Sequence, residues 1–515
     1  MLLRPDDHAD RAPDSTAVVV PDARRISYRA MVDQSRRLAN VLRSRGLRPG
    51  DHVAILMTNV PEYFEVVWAA RRAGYFYTAI NWHLTTGEVR YMLENSESKA
   101  LIASAGLASV ADQAAAGLPG LTLRLLVGAA AIRPGWDDYA ATVAAAGTAP
   151  LGPELEGQAM LYSSGTTGRP KGVVHTKIDL TRQFGDVEGD ILWVNRYGLD
   201  PSTVTLNVGP LYHAAPLVSA MSTHRHGGTV VLPAKFDAEQ TLQVIERYRV
   251  TYAQFVPTMF VRLLRLPEAV RRRYDVSSLR AVAHSAAPCP VEVKRRMIEW
   301  FGPVINEYYS ATEAAGHVSI RSDEWLAHPG SVGQVVPGSV AITDESGREL
   351  PPGEDGIIWF TRPANKFSYH GDPEKSASMY NGKGWARMGD IGHLDSDGYL
   401  FITGRSDHTI ISGGVNIYPR EIEDLLIGHP AVDDVAVIGV PDDEYGESVK
   451  AVVTLRDGYA AGDGLERDII DWTRARLAHY KCPKSVTFVG SLPRSAAGKM
   501  MKHRLIEQLK QASCT

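Results

Sequence analysis

Tyr162 to Val173 reads YSSGTTGRPKGV, a single loop holding two serines, two threonines, three glycines and a lysine. The apolar run Ala159–Met160–Leu161 leads into it and Val173–Val174 leads out. Glycines let the backbone turn its amides toward a bound group, and the hydroxyls of Ser163, Ser164, Thr166 and Thr167 add donors, so the loop suits phosphate oxygens. Lys171 contributes a mobile point charge. A P-loop would need glycine before the lysine and serine or threonine after it. Here Pro170 precedes Lys171 and Gly172 follows, which excludes that motif. The loop reads as a handler of polyphosphate rather than a solvated surface turn.

Around the loop, helical periodicity alternates with short apolar runs. Tyr28 to Gly46 and Glu62 to Gly74 read as helices, with HVAILM (His52 to Met57) as a strand between them. VTLNVGPLYH, GGTVVLP and RVTYAQFVP read as further strands, with EQTLQVIERYR and VEVKRRMIEWFG as helices. Such alternation predicts a layered α/β domain with mostly parallel strands. Ala129 to Gly157, rich in Ala, Gly and Pro, reads as a loosely packed connection, and Ser331 to Phe360 as a separate β-rich layer. From Gly404 onward, one short helix, two strands, a longer helix and a last strand predict a compact α+β unit. The predicted fold is therefore a large α/β N-terminal domain, layered sheets plus a β-rich subdomain, with a small mobile α+β C-terminal domain.

Composition restricts the function. At 515 residues the chain exceeds what one core usually organises. Hydrophobic content of 44% and charged content of 22% fit an ordinary globular protein. A net charge of −4 without long runs gives no footprint for nucleic acid, and Arg271–Arg272–Arg273 reads as a solvated helix end. Cys289, Cys482 and Cys514 lie far apart, supporting neither a disulfide framework nor a zinc site. No window approaches the ~18 apolar residues of a membrane span, and the acidic N-terminus is no signal peptide. The expectation is a cytoplasmic soluble protein without integral membrane association, with homo-oligomerisation left open.

Four more blocks follow the loop: YYSATE (Tyr308 to Glu313), MGDIG (Met388 to Gly392), GRSDHTIISGGVNIYPREIE (Gly404 to Glu423) and PRSAAGK (Pro493 to Lys499). In this order and spacing the five resemble the adenylate-forming (ANL) superfamily, which holds acyl- and aryl-CoA synthetases, luciferases and peptide-synthetase adenylation domains. The resemblance spans essentially the whole chain. It implies a free-standing acyl-CoA synthetase, the type found in fatty-acid metabolism, using ATP, Mg2+ and CoA. ATP and a carboxylic acid give acyl-adenylate and pyrophosphate, and the CoA thiol then displaces AMP.

The resemblance also implies roles. Ser163, Ser164, Thr166, Thr167 and Lys171 take the β and γ phosphates, Glu313 holds magnesium, and Thr312 touches phosphate. Asp390 and Arg405 meet the ribose, and Tyr309 faces the adenine opposite the run AHSAAP that contains Ala286. Lys499 bridges carboxylate and α-phosphate during adenylation. Gly413 and Gly414 line a pantetheine tunnel after rotation about Asp407. His213 packs beside the substrate carboxylate, and the acyl pocket is drawn from His213, Phe255, Val256, Ser285 and Ser310. Residues 1–403 would form the large domain, 404–408 the hinge and 409–515 the lid. Two positions depart from the family: Ser310 stands where most relatives have Gly, and Met388 where they usually have Thr. The acyl class stays open among medium-chain, aryl and fused-ring acids. An amine or carrier-protein thiol remains the alternative acceptor, and a non-catalytic nucleotide-binding protein the alternative class.

Overall fold

A computed structural model of the chain describes residues 3–131, 133–163, 170–175, 179, 181–186, 196–405, 408–412, 415–442, 445–477, 479–494 and 500–513. The sheet that positions the site has eight strands: β1 (Thr16–Val20), β2 (Arg24–Ser27), β3 (Val204–Asn207), β4 (Thr229–Val231), β5 (Tyr252–Phe255), β6 (Ala281–His284), β7 (Ile305–Tyr309) and β8 (Val318–Arg321). They lie in the order β8-β7-β6-β5-β3-β4-β1-β2. The six central strands run parallel, and only the edges β2 and β8 are antiparallel. A second, all-parallel sheet takes in His52–Leu56, Phe76–Ala79 and Ser98–Ser104. One apolar core joins the two sheets through the helices Tyr28–Ser44 and Glu62–Arg72. The layered, mostly parallel α/β architecture matches the expectation.

Two expectations change. The connection Ala129 to Gly157 is not loosely packed at its end. Arg72, fully buried, bonds Glu154 at 2.8 Å and Asp6 at 3.1 and 2.8 Å. Glu156, also buried, accepts from Arg71 at 2.6 Å. Buried charges persist only when paired, so these bonds fasten the connection to the core. It also holds a helix, Tyr139–Ala144, whose N-terminus is capped by Asp138. The β-rich layer in turn extends past Phe360: its five strands run from Gly333–Gln334 to Tyr399–Arg405 and include the whole MGDIG block.

The C-terminal unit is built on the long antiparallel pair Val432–Asp442 and Gly446–Leu455, with Ser485–Phe488 added in parallel and the helices Pro419–Leu426 and Asp463–Arg474 packed on it. Among the described residues no helix is long and apolar enough to cross a membrane.

Two buried histidines set an acid limit on this fold. His224 packs between Trp68 and the Ala17 carbonyl, and His284 lies behind the site sheet; burial drives both down to about 3. The folded values lie below the ordinary 6.5, so the unfolded chain takes up protons first as pH falls. Stability is full above pH 6.5 and is lost as pH drops toward 3, by about 1.4 kcal/mol per pH unit for each histidine. Glu65 opposes this, because burial raises it to about 7 and the folded chain then holds its proton more tightly. Urea unfolding of Glu65→Gln should therefore show a steeper fall between pH 6.5 and 4.5 than wild type, by about 1.4 kcal/mol per unit. Equal slopes would mean that Glu65 titrates alike in both states.

Candidate active site

Parallel strands of an α/β sheet leave a crevice beyond their carboxyl ends, where ligands bind. Here the ends of β5, β6 and β7 carry Phe255–Val256, Ser285–Ala286 and Tyr309–Ser310. Ala286 sits at φ 73°, a left-handed conformation that a non-glycine residue adopts at a cost. Facing these ends is the β-rich layer, where Asp390 and Arg405 are cross-strand partners. Tyr309 Oη donates to Asp390 Oδ2 at 2.6 Å, and Arg405 Nη1 approaches Asp390 Oδ1 at 3.4 Å. The same guanidinium donates to the carbonyl of Met388 at 3.2 Å. Burial and the Asp390 charge raise the Tyr309 hydroxyl well above its ordinary range, so it stays a donor. Three residues separated widely in sequence thus meet around one carboxylate.

The phosphate-loop segment hangs from a small antiparallel sheet. Leu161–Ser163 pairs with Lys171–His175, which pairs with Phe367–Tyr369. Ser163 and Lys171 face each other as a closing pair. Ser164, Thr166 and Thr167 lie outside the described residues. Tyr369 brings a contact that sequence reading missed: its hydroxyl donates to Glu313 Oε1 at 2.8 Å, and Lys171 Nζ lies 5.3 Å from its ring centroid. Glu313 is 8% exposed. Desolvation and the neighbouring Lys375 lower Lys171, while Asp372 and Glu313 partly restore it. Half-buried Thr312 precedes Glu313 in the turn after β7. One carboxylate oxygen fixed by Tyr369, with a hydroxyl next in sequence, is a hard-oxygen donor set that fits magnesium.

Half-buried His213 occupies the N-cap position of the helix Ala214–Arg225, without a side-chain capping bond. The strand read through to it ends instead at Asn207, because the chain turns at Gly209, where an added Cβ would meet Pro216 at 2.6 Å. Ser285 accepts from Gln254 Nε2 at 3.3 Å. Ser310 donates to the Gly316 carbonyl at 2.8 Å, so its proton is committed across the turn. Phe255 is placed elsewhere: it packs against Phe260 in the core behind the sheet, and its neighbour Gln254 takes the face toward Ser285 and Tyr308. Alternation along a strand makes adjacent residues face opposite ways. Val256 is partly buried against that same core.

Asp407, Gly413, Gly414 and Lys499 lie outside the described residues, but their flanks are placed. Arg405 ends the last strand of the β-rich layer, and Ile410 opens the C-terminal sheet. Ser412 and Val415 pair across Gly413–Gly414. Arg494 and Met500 form a bridge around the stretch that holds Lys499, and Arg494 makes bonds of 2.9 and 2.7 Å to Asp434.

The α/β domain thus brings Tyr309 against Asp390 of the β-rich layer, and a small second domain follows just past Arg405. The chain belongs to the AMP-binding enzyme family: the family profile matches residues 5–370, and that of its C-terminal domain matches residues 421–499. It is 37% identical over 485 residues to a feruloyl-CoA synthase of an Amycolatopsis species, covering 93% of this chain and 92% of that one. The structure is similar to that of the anthranilate CoA ligase AuaEII in complex with anthranoyl-AMP, with TM-score 0.86 and 27% identity over 100% of this chain and 98% of the other. It is also similar to the amide bond synthetase McbA of Marinactinospora thermotolerans, with TM-score 0.82 and 28% identity over 98% and 99% of the two chains.

Proposed function

We propose that the enzyme activates an aryl carboxylic acid with ATP and transfers the acyl group to the thiol of CoA. A carboxylate oxygen attacks the α-phosphorus, the bond to pyrophosphate breaks, and an acyl-adenylate remains. The thiol sulfur then attacks the acyl carbonyl, AMP leaves, and the thiol proton passes to solvent. Charge develops on phosphate oxygens in the first step, so fixed donors and cations are the main catalytic means. In this reading the loop hydroxyls and Lys171 hold the leaving pyrophosphate, and Lys499 neutralises charge between the reacting groups. Asp390, paired with Arg405, accepts from the ribose hydroxyls, and His213 packs beside the carboxylate. Glu313 and Thr312 would hold magnesium, which screens the phosphate charge when bound. Residues 1–403 serve as the adenylating domain and 409–515 as the lid, turning about 404–408. We place the enzyme in the cytoplasm, where ATP and CoA are supplied.

The choice of an aryl acid rests on the relatives: the named substrates of the feruloyl and anthranilate enzymes are aromatic acids. A panel of aryl and medium-chain alkanoic acids, followed by pyrophosphate release, tests the reading. The aryl acids should lead by about tenfold or more in kcat/KM, the scale of a well-matched apolar pocket. Better turnover of alkanoic acids would reverse the assignment. Because one similar structure is an amide bond synthetase, the panel is run with CoA and with a simple amine; faster consumption of adenylate by the amine would make this an amide ligase.

A further inference from the structure

Tyr369 stands between the loop lysine and the carboxylate of Glu313. Its strand Phe367–Tyr369 pairs antiparallel with Lys171–His175, the strand that leaves the phosphate loop, and sets Tyr369 opposite Val173. The amide of His370, next in sequence, donates to the Gly172 carbonyl at 2.8 Å. On its other side the Tyr369 hydroxyl donates to Glu313 Oε1 at 2.8 Å, while Lys171 Nζ lies 5.3 Å from the ring centroid. An ammonium at that distance is attracted to the face of a phenol ring. One side chain therefore touches both charged groups.

That side chain is itself held. Tyr369 is 6% exposed and meets the Phe367 ring edge-on, with centroids 5.7 Å apart. Its amide donates to Ser376 Oγ at 2.8 Å, and the Ser376 hydroxyl donates to the Asp372 carbonyl at 2.6 Å. The turn that carries Glu313 leans on the same stretch of chain. Asn365 Nδ2 donates to the Ala314 carbonyl at 3.3 Å, and the Ala364 amide to the Ala315 carbonyl at 2.9 Å. Ala314 sits at φ 48°, a left-handed conformation that a non-glycine residue keeps only where its surroundings hold it. Residues 364–370 thus fix the backbone beside Glu313, one of its oxygens and the strand leaving the loop. Among the described residues, Glu313 Oε2 accepts no hydrogen bond. A carboxylate accepts at both oxygens, so fixing Oε1 leaves Oε2 for a hard cation.

We propose, resting on the reading above that Glu313 takes magnesium and Lys171 a phosphate, that Tyr369 is a positioning residue for the metal–triphosphate. Its hydroxyl holds the Glu313 carboxylate at a set place relative to the strand leaving the phosphate loop. Removing a group that orients a metal-binding side chain costs about 10–100-fold in metal affinity or activity. A tyrosine that only filled the core would act on folding and leave the metal dependence alone.

The test is calorimetric binding of a non-hydrolysable ATP analogue, once with magnesium and once with EDTA, to wild type, Tyr369→Phe, Glu313→Gln and the double variant. The ratio of the two affinities is the metal gain. Tyr369→Phe keeps the ring beside Lys171 and its strand pairing, so affinity in EDTA should stay within about threefold of wild type. Its metal gain should fall by about tenfold or more. In the Glu313→Gln background the same change should cost no further gain, because both act through one carboxylate. An undiminished gain in Tyr369→Phe overturns the proposal and leaves the reading of Glu313 standing. So does an equal loss with and without magnesium, which a structural role would produce, and so does full additivity of the two changes. A wild-type enzyme without metal gain, or a gain that Glu313→Gln leaves untouched, overturns the magnesium reading and this inference together.

Discussion

Lys499→Ala is expected to lower ATP–pyrophosphate exchange by about 10²–10³-fold, the usual cost of removing one donor aimed at charge that develops in the transition state. Thioester formation from a supplied acyl-adenylate should stay close to the wild-type rate. The asymmetry follows from the chemistry: negative charge grows between carboxylate and α-phosphate only while the adenylate forms. In the second step AMP is already the leaving group, so no new charge grows at that position. Loss of folding is not expected to contribute. The segment is held on either side by the Arg494–Met500 bridge and the Arg494–Asp434 bonds, and Lys502 beyond it donates to the Val437 carbonyl at 2.7 Å. The measurement is a pair of assays on one preparation, exchange with acid and ATP, then CoA capture of synthetic adenylate. Equal loss in both would mean that Lys499 acts structurally.

The loop at Tyr162 to Val173, Asp390, Arg405 and Glu313 stood out in the sequence because each sits in a block whose residue types suit the proposed chemistry. Their mutual geometry did not. Tyr369 reaches Glu313 only because Phe367–Tyr369 pairs with the strand that follows the loop, a contact across nearly two hundred residues that no local pattern encodes. Phe255 looks like pocket lining because it is aromatic, yet pleating sends it to the core and turns the polar Gln254 toward Ser285. Alternation was readable in YAQF, but which face met the core depended on Phe260, Val282 and Ile305. A buried cluster behind the site was likewise unreadable. Lys294, fully buried, bonds Glu307 at 2.7 Å, with His284 at 3.6 Å from the same carboxylate. Each of the three belongs to a different helix or strand, so only the packed sheet brings them together. The secondary structure followed from period and turn chemistry, whereas side-chain partnership followed from sheet order.

Asp407→Pro should separate the two half-reactions in the opposite sense to the lysine change. Proline fixes φ near −65° and removes the backbone donor, so a hinge containing it resists the dihedral change that rotation requires. Pyrophosphate exchange should survive, acyl-CoA formation should drop by well over tenfold, and bound adenylate should accumulate during turnover. Arg405 ends one sheet and Ile410 opens another, which is the reason for proposing the pivot between them. Arg405 is itself cross-strand from Asp390, which places the pivot immediately beside the proposed ribose carboxylate. Arg420 joins the domains through the Ile402 carbonyl, and two further contacts between them are suited to breaking. Arg265 meets Asp433 at 2.5 Å and Arg504 meets Glu88 at 3.6 Å, and both arginines are nearly half exposed. Exposed pairs of this kind contribute on the order of 0–1 kcal/mol each, so they cannot lock one arrangement against a ligand that favours another. Stopped-flow measurement of acyl-CoA, alongside quenched-flow measurement of adenylate, follows both steps in one experiment. Normal turnover with CoA would move the pivot elsewhere or remove the need for rotation. Loss of exchange as well would mean that Asp407 is required in the adenylating arrangement, before any rotation begins.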